Sequence, residues 1–181
     1  MPRPHRALRA VGLPAAVVPL VFGLTLSAPV RAHAAEPGPF HTVAGEHLEP
    51  GWVLPVAHYR LTGRFGDVSG LWHTVHTGLD FAAPYGTSIH AIASGVVLST
   101  GYDGSYGNKT VIRLPSGTTL WYCHQSAFAV HVGERVEAGQ VIGAIGTTGN
   151  TTGPHVHVEV HPHGGAPVDP YRVLRAHHLR P

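Results

Sequence analysis

Thr152-Gly153-Pro154-His155-Val156-His157-Val158-Glu159-Val160 is the stretch from which the rest of the chain can be read. After a Gly-Pro turn signal, valines alternate with polar residues at a period of two, as in a strand with one face in a core. Both imidazoles of His155 and His157 then project from the same face, with Glu159 beside them. About eighty residues earlier, His76-Thr77-Gly78-Leu79-Asp80 repeats the device. On a strand, His76, Gly78 and Asp80 share one face and Thr77, Leu79 and Phe81 the other, and Gly78 leaves room between the two polar groups. Two imidazoles plus a carboxylate, with one position left for water, are the ligand set of a catalytic rather than a structural zinc. Spacing alone leaves open which histidine of the His155/His157 pair completes that set.

Working outward, the chain from about Trp52 reads as short β-type runs broken by glycine turns. The runs are 59–65, 77–82, 88–99, 109–114, 118–124, 140–145 and 154–161. Turn signals fall at 103–108, 115–117 and 147–150. The 23 glycines and 16 prolines suit many tight turns. The expected fold is all-β: an antiparallel, barrel-like sandwich of short strands whose glycine-rich loops form a substrate groove. Helical periodicity is confined to a short turn at 169–176.

The first 34 residues read as a cleaved signal peptide. Arg3, Arg6 and Arg9 form a basic start, 10–28 runs apolar apart from Thr25 and Ser27, and Ala32-His33-Ala34 offers a cleavage site. A retained membrane anchor is the competing reading, because the apolar run is about long enough to span a bilayer. Pro14, Pro19 and the small-x-small site favour cleavage, with the mature chain starting near Ala35 and no stable membrane insertion afterwards. Residues 35–52, rich in Pro, Gly, His and Glu, read as a linker or arm. The signal contains four arginines and no acid, so the remainder holds eight basic and ten acidic residues. Its net charge of −2 gives no basic patch for nucleic acid.

Cys123 is the only cysteine, so no internal disulfide holds the domain. As a nucleophile beside His124 it would suit a cysteine peptidase. In the alternating run Trp121-Tyr122-Cys123-His124, however, the two face opposite sides, and a buried, inert thiol is expected.

The combination of His76-x-x-x-Asp80, an isolated strand histidine at His124, and His155-x-His157 resembles the lysostaphin-type (LytM-like) zinc endopeptidases of bacterial peptidoglycan. The similarity runs from about Trp52 to Leu174. It passes through His76-Thr-Gly-Leu-Asp80-Phe-Ala-Ala-Pro84-Tyr-Gly-Thr87, Tyr106-Gly-Asn108, Tyr122-Cys-His124, 133–146, Thr152-Gly-Pro-His-Val-His-Val-Glu159 and Pro167-Val-Asp-Pro170. The resemblance implies that His76, Asp80 and His157 bind one Zn2+ and that His155 and His124 are the two non-ligand catalytic histidines. It also implies an endopeptidase domain at 53–176 followed by a short tail at 177–181. The expected protein is secreted and cell-wall associated, a monomer acting on peptidoglycan peptides, with a preference for bonds next to glycine or other small residues.

A three-ligand zinc lowers the pKa of its water to near 7. No H-E-x-x-H glutamate base is present, so His124 and His155 are the available acid–base groups, their roles unassigned. Glu159 is on the right face to orient a histidine or to form a structural salt bridge. His73 is a competing ligand with no place in the family pattern. Trp72, Tyr106 and Asn108, in glycine-rich loops, are the candidate substrate-binding residues. Gln125 departs from the family, where an apolar residue, often leucine, follows the histidine. His41, Glu46 and His47 would give the arm ligands with which to cover the site. Two rival functions remain: a catalytically inactive relative that binds peptidoglycan or activates an amidase, and a lipoyl-type carrier. The inactive relatives typically lose metal ligands, and here all three are present. The carrier needs a lysine on an exposed hairpin, and the only lysine is Lys109, outside the segment 132–143 that resembles one.

Overall fold

The alternation at 155–161 does form a strand, and its valines build the centre of the molecule. A computed structural model describes residues 51–68 and 75–181. The signal segment, the arm up to residue 50, Trp72 and His73 lie outside the described residues. Ten strands and one short helix follow in chain order. They are β1 (Arg60–Gly63), β2 (Leu79–Ala82), β3 (Ser88–His90), β4 (Gly95–Tyr102), β5 (Asn108–Arg113), β6 (Thr119–Cys123), β7 (Gln125–Phe128), β8 (Arg135–Val136), β9 (Val141–Ile145), β10 (His155–His161) and α1 (Pro170–Ala176).

The strands make two antiparallel sheets, one of seven in the order β1-β2-β10-β6-β5-β4-β8 and one of three, β3-β9-β7. Val156 and Val158 are fully buried and join Leu79, Phe81, Ile89, Ile112, Leu120, Ile142, Ile145 and Leu174 in one core. Tyr122 is also fully buried, and its hydroxyl accepts the Ile92 N–H at 2.8 Å, so its polar end is satisfied. Asp169 caps α1, its carboxylate accepting the Tyr171 N–H at 2.9 Å with proline at the first helical position.

The structure differs from the sequence reading in three places. The run expected at 88–99 is two strands, β3 in the small sheet and β4 in the large one, and β4 continues to Tyr102. Gly95, where β4 begins, lies so close to the Arg113 carbonyl that a Cβ would collide with it. β7 and β8 are not anticipated by the sequence pattern. Residues 76–78 precede the strand with a bend at Gly78, because β2 begins only at Leu79.

At the two ends, Trp52 stacks on His177 with ring centroids 3.7 Å apart. Leu179 is partly buried against the core. Among the described residues, no helix is long and apolar enough to cross a membrane.

Candidate metal centre and substrate groove

Cross-strand register brings the polar residues together. On β10, His157 pairs with Asp80 of β2 on one side and Cys123 of β6 on the other. Directly opposed residues have side chains within contact distance, and His157 Nδ1 stands 2.8 Å from Asp80 Oδ1. His76 arrives from the preceding loop, whose backbone is tied by His76 N–H to Asp67 O (2.9 Å) and Gly66 N–H to His76 O (2.8 Å). Its Nε2 is 3.0 Å from His157 Nδ1 and 3.2 Å from Asp80 Oδ2. The ligand atoms of His76, Asp80 and His157 all lie within 4.8 Å of one another, and all three residues are buried.

The outer nitrogens fix which atoms face inward. His76 Nδ1 is 3.0 Å from the Arg64 carbonyl, which accepts only from an N–H. His157 Nε2 is 3.0 Å from the Glu159 carboxylate. A cation bound here would displace the inner protons; with a proton kept on each outer nitrogen, His76 Nε2 and His157 Nδ1 would then face it together with Asp80 as lone pairs. Two glycines make room for the ligand side chains. A Cβ on Gly78 would come 2.7 Å from Cε1 and Nε2 of His157, and one on Gly63 would strike the Asp80 carboxylate. The Gly78 opening was legible in the sequence; Gly63 carried no signal there, lying outside the polar pattern.

The other two histidines stand alongside. His124 occupies the corner between β6 and β7, where the chain passes from the large sheet to the small one, with φ at 63°. Its Nδ1–H donates to the Thr148 carbonyl at 2.8 Å. His155 Nδ1–H donates to Gly153 O at 2.9 Å, and its Nε2 is 3.7 Å from Asp80 Oδ1. Both therefore direct Nε2, the acceptor of a neutral ring in this tautomer, away from the carbonyl that holds Nδ1–H. Their ring centroids are 4.7 Å apart, and His124 lies 6.0 Å from the His157 ring.

Electrostatics separates the groups. Burial raises Asp80, but hydrogen bonds from His157 and His76 outweigh it and hold the carboxyl well below the ordinary range. Glu159 is likewise raised by burial yet pulled down to about 2 by His157 and Thr77. For His157 burial lowers the value, and the Asp80 and Glu159 carboxylates more than offset it, to about 9. His124 lacks such a partner: burial takes it down to about 4, with the Thr148 carbonyl opposing.

A groove of about 460 Å³ opens over the cluster, walled by Thr62, Val75, Ser105, Tyr106, Asn150, Thr151 and Thr152. Two loops clasp to form one wall: Asn150 N–H donates to Ser105 O and Asn108 N–H to Thr148 Oγ1. Gly107 (φ 63°) and Gly149 (φ 76°) touch backbone to backbone, where any Cβ would clash. Of the candidate substrate residues, Tyr106 lines the groove with its ring 6.1 Å from His157. The Asn108 side chain instead donates to the Gln125 carbonyl at 3.0 Å, bracing the His124 corner.

Cys123 is buried, and burial pushes its thiol well up. Gln125 fills its apolar-type position by using its amide: Nε2 donates to Thr110 Oγ1 (2.9 Å) and Tyr122 O (2.8 Å). Sequence reasoning passed over Thr77 and His161, whose side chains both reach Glu159. The alternation that set Thr77 on the opposite face does not apply outside a paired strand.

The chain is similar in sequence to known cell-wall peptidases. A DD-carboxypeptidase/endopeptidase, Mpg of Neisseria meningitidis, is 43% identical over 124 residues, covering 67% of this chain and 28% of that protein. Peptidoglycan DD-endopeptidase ShyC of Vibrio cholerae is 44% identical over 84 residues, 46% of this chain and 19% of that protein. The chain thus spans less than a third of the length of these relatives. Among solved structures, the catalytic domain of lysostaphin from Staphylococcus simulans superposes with a TM-score of 0.61 at 32% identity, over 65% of this chain and 92% of that one. The profile described as Peptidase family M23 matches residues 74–170, from just before His76 to the first residue of α1. That span is more than half of the chain and holds His76, Asp80, His124, His155 and His157, and the chain belongs to peptidase family M23.

Proposed function

We propose that this chain is a secreted, cell-wall-associated zinc endopeptidase that hydrolyses peptide bonds of bacterial peptidoglycan. One observation carries the reading: His76 Nε2, Asp80 and His157 Nδ1 converge on one point, while Arg64 O and Glu159 take up the outer N–H groups. Bound there, zinc would polarise the scissile carbonyl and lower the pKa of a water into the neutral range. His124 and His155 move the protons. Each turns Nε2 away from the backbone carbonyl that holds its Nδ1–H, so a neutral ring can accept a proton there. One takes the proton of the attacking water and the other serves the oxyanion or the leaving amine. Asp80, ionised throughout the working range, balances the metal's charge.

The groove suits an extended peptide: Ser105, Tyr106, Asn150, Thr151 and Thr152 offer hydroxyl and amide groups along its walls. Tyr106 contacts the substrate directly and Asn108 acts through the corner it braces, while Trp72 remains a substrate residue proposed from the sequence alone. The relatives' activities, DD-endopeptidase and DD-carboxypeptidase/endopeptidase, point to the peptide part of the wall polymer. The leader at 1–34 exports the chain, 35–52 links it, and the domain at 53–176 works as a monomer. Incubating purified protein with peptidoglycan tests the activity. New peptide termini, read by mass spectrometry, should appear, vanish with a chelator and return with zinc. Cleavage that a chelator leaves untouched, or that falls only between sugars, contradicts the reading.

A further inference from the structure

Beside His157, reaching the groove at Thr77 and Tyr106, lies a polar cluster that proton transfer does not use. Glu159 is fully buried on β10, one strand repeat beyond His157. Its Oε1 accepts from His157 Nε2 at 3.0 Å and from the Thr77 hydroxyl. Its Oε2 accepts from His161 Nε2 at 2.6 Å. His161 is itself held by Gly165 O at 2.8 Å and stacked on Trp121, ring centroids 4.1 Å apart. Both carboxylate oxygens are thus occupied, and the carboxylate has no freedom to turn.

A neutral imidazole carries one proton, and whichever nitrogen holds it is lost as a ligand. In His157 both nitrogens have acidic partners, Asp80 at Nδ1 and Glu159 at Nε2. Without Glu159 the proton would be drawn to Nδ1, where Asp80 accepts it and the ligand position is blocked. We infer that Glu159, anchored by Thr77 and His161, is a positioning residue that keeps the His157 proton on Nε2 and so leaves Nδ1 free for the metal. The inference rests on the zinc reading above and adds to it the reason His157 offers its inner nitrogen. Partners of this kind cost about 10- to 100-fold in metal affinity or activity when removed.

Two measurements test it. In zinc-loaded protein with the natural sequence, 15N spectra of the imidazoles should show His157 protonated at Nε2 and metal-bound through Nδ1; the opposite tautomer overturns the inference without any variant. In Glu159→Ala, the zinc dissociation constant measured by chelator competition should rise about 10- to 100-fold. Glu159→Gln still accepts from His157, and its amide can donate to His161 Nε2 when that ring is neutral with its proton on Nδ1 toward Gly165 O, so it should recover most of that loss. A purely structural carboxylate predicts otherwise: the zinc-free Glu159→Ala protein melts lower, yet binds zinc with unchanged affinity, and that result rejects the positioning role. If the unaltered protein binds zinc at His76, Asp80 and His157 while Glu159→Ala binds it equally well, only this inference falls. If the unaltered protein binds no zinc there, the functional reading falls with it.

Discussion

At His124 the backbone enters the left-handed region that L-residues adopt at a cost of about 1–2 kcal/mol, a strain that clusters at functional sites. The corner is held in compensation by His124 N–H to Tyr106 O at 2.9 Å and by the ring's bond to Thr148. Burial, the largest influence, sets the imidazole at about 4, against 6.5 unperturbed. Because the folded value is the lower one, the folded state binds fewer protons. The stability contributed by the neutral ring is therefore complete above 6.5 and lost as pH falls through about 4. An NMR titration of His124 should accordingly show a midpoint near 4; a midpoint near 6.5 would mean the ring is solvated and not poised as described. His76, Asp80, His124, His155 and His157 were all legible as residues, because their types and spacing are those of a metal site. Gly63, Thr77 and His161 were not. Their roles depend on which loop or strand lies beside them, and no local pattern records that.

Elements carry the site through register. Gly78 lets the His76 loop pass under β10, and Gly78→Ala puts a methyl 2.7 Å from the His157 ring. That substitution should cost about 1–3 kcal/mol in unfolding experiments, the usual range for overpacking, and weaken zinc binding together with it. Gly101→Ala, in β4 with nothing within 4 Å, is the control and should bind zinc normally. Equal behaviour of the two variants would show that the close approach does not hold the site. The strands with clear alternation or β-branched runs, β5, β6 and β10, were readable from sequence. β7 was not, since Gln125 and Ser126 open it with polar residues and it starts at the corner itself. β8, two residues long, is too short for any period to show.

In the whole molecule, two sheets and their loops meet at one polar cluster, so the metal should act as a staple between β2, β10 and the His76 loop. A ligand that binds only the folded state adds about 2.7 kcal/mol at 100 times its dissociation constant. For a domain of this size that corresponds to a rise on the order of 5–10 °C in Tm. Calorimetry with and without zinc should show the shift, and its absence would mean that the cluster holds no zinc in the folded state. The all-β class followed from alternation and glycine turns. The division into seven and three strands did not, because it depends on the turn at His124, and nothing in a histidine's type announces a left-handed backbone.

The central claim is that one set of residues holds the metal and another moves protons, although His155 and His157 stand two residues apart on one strand face. Bound zinc and turnover on peptidoglycan, measured side by side in His155→Ala and His157→Ala, test it most directly. His155→Ala should keep about one zinc per chain and lose on the order of a hundredfold or more in turnover, the scale of a positioned acid–base group. His157→Ala should lose the zinc and the activity together. A His155→Ala protein without zinc, beside a His157→Ala protein that retains it, would contradict the assignment.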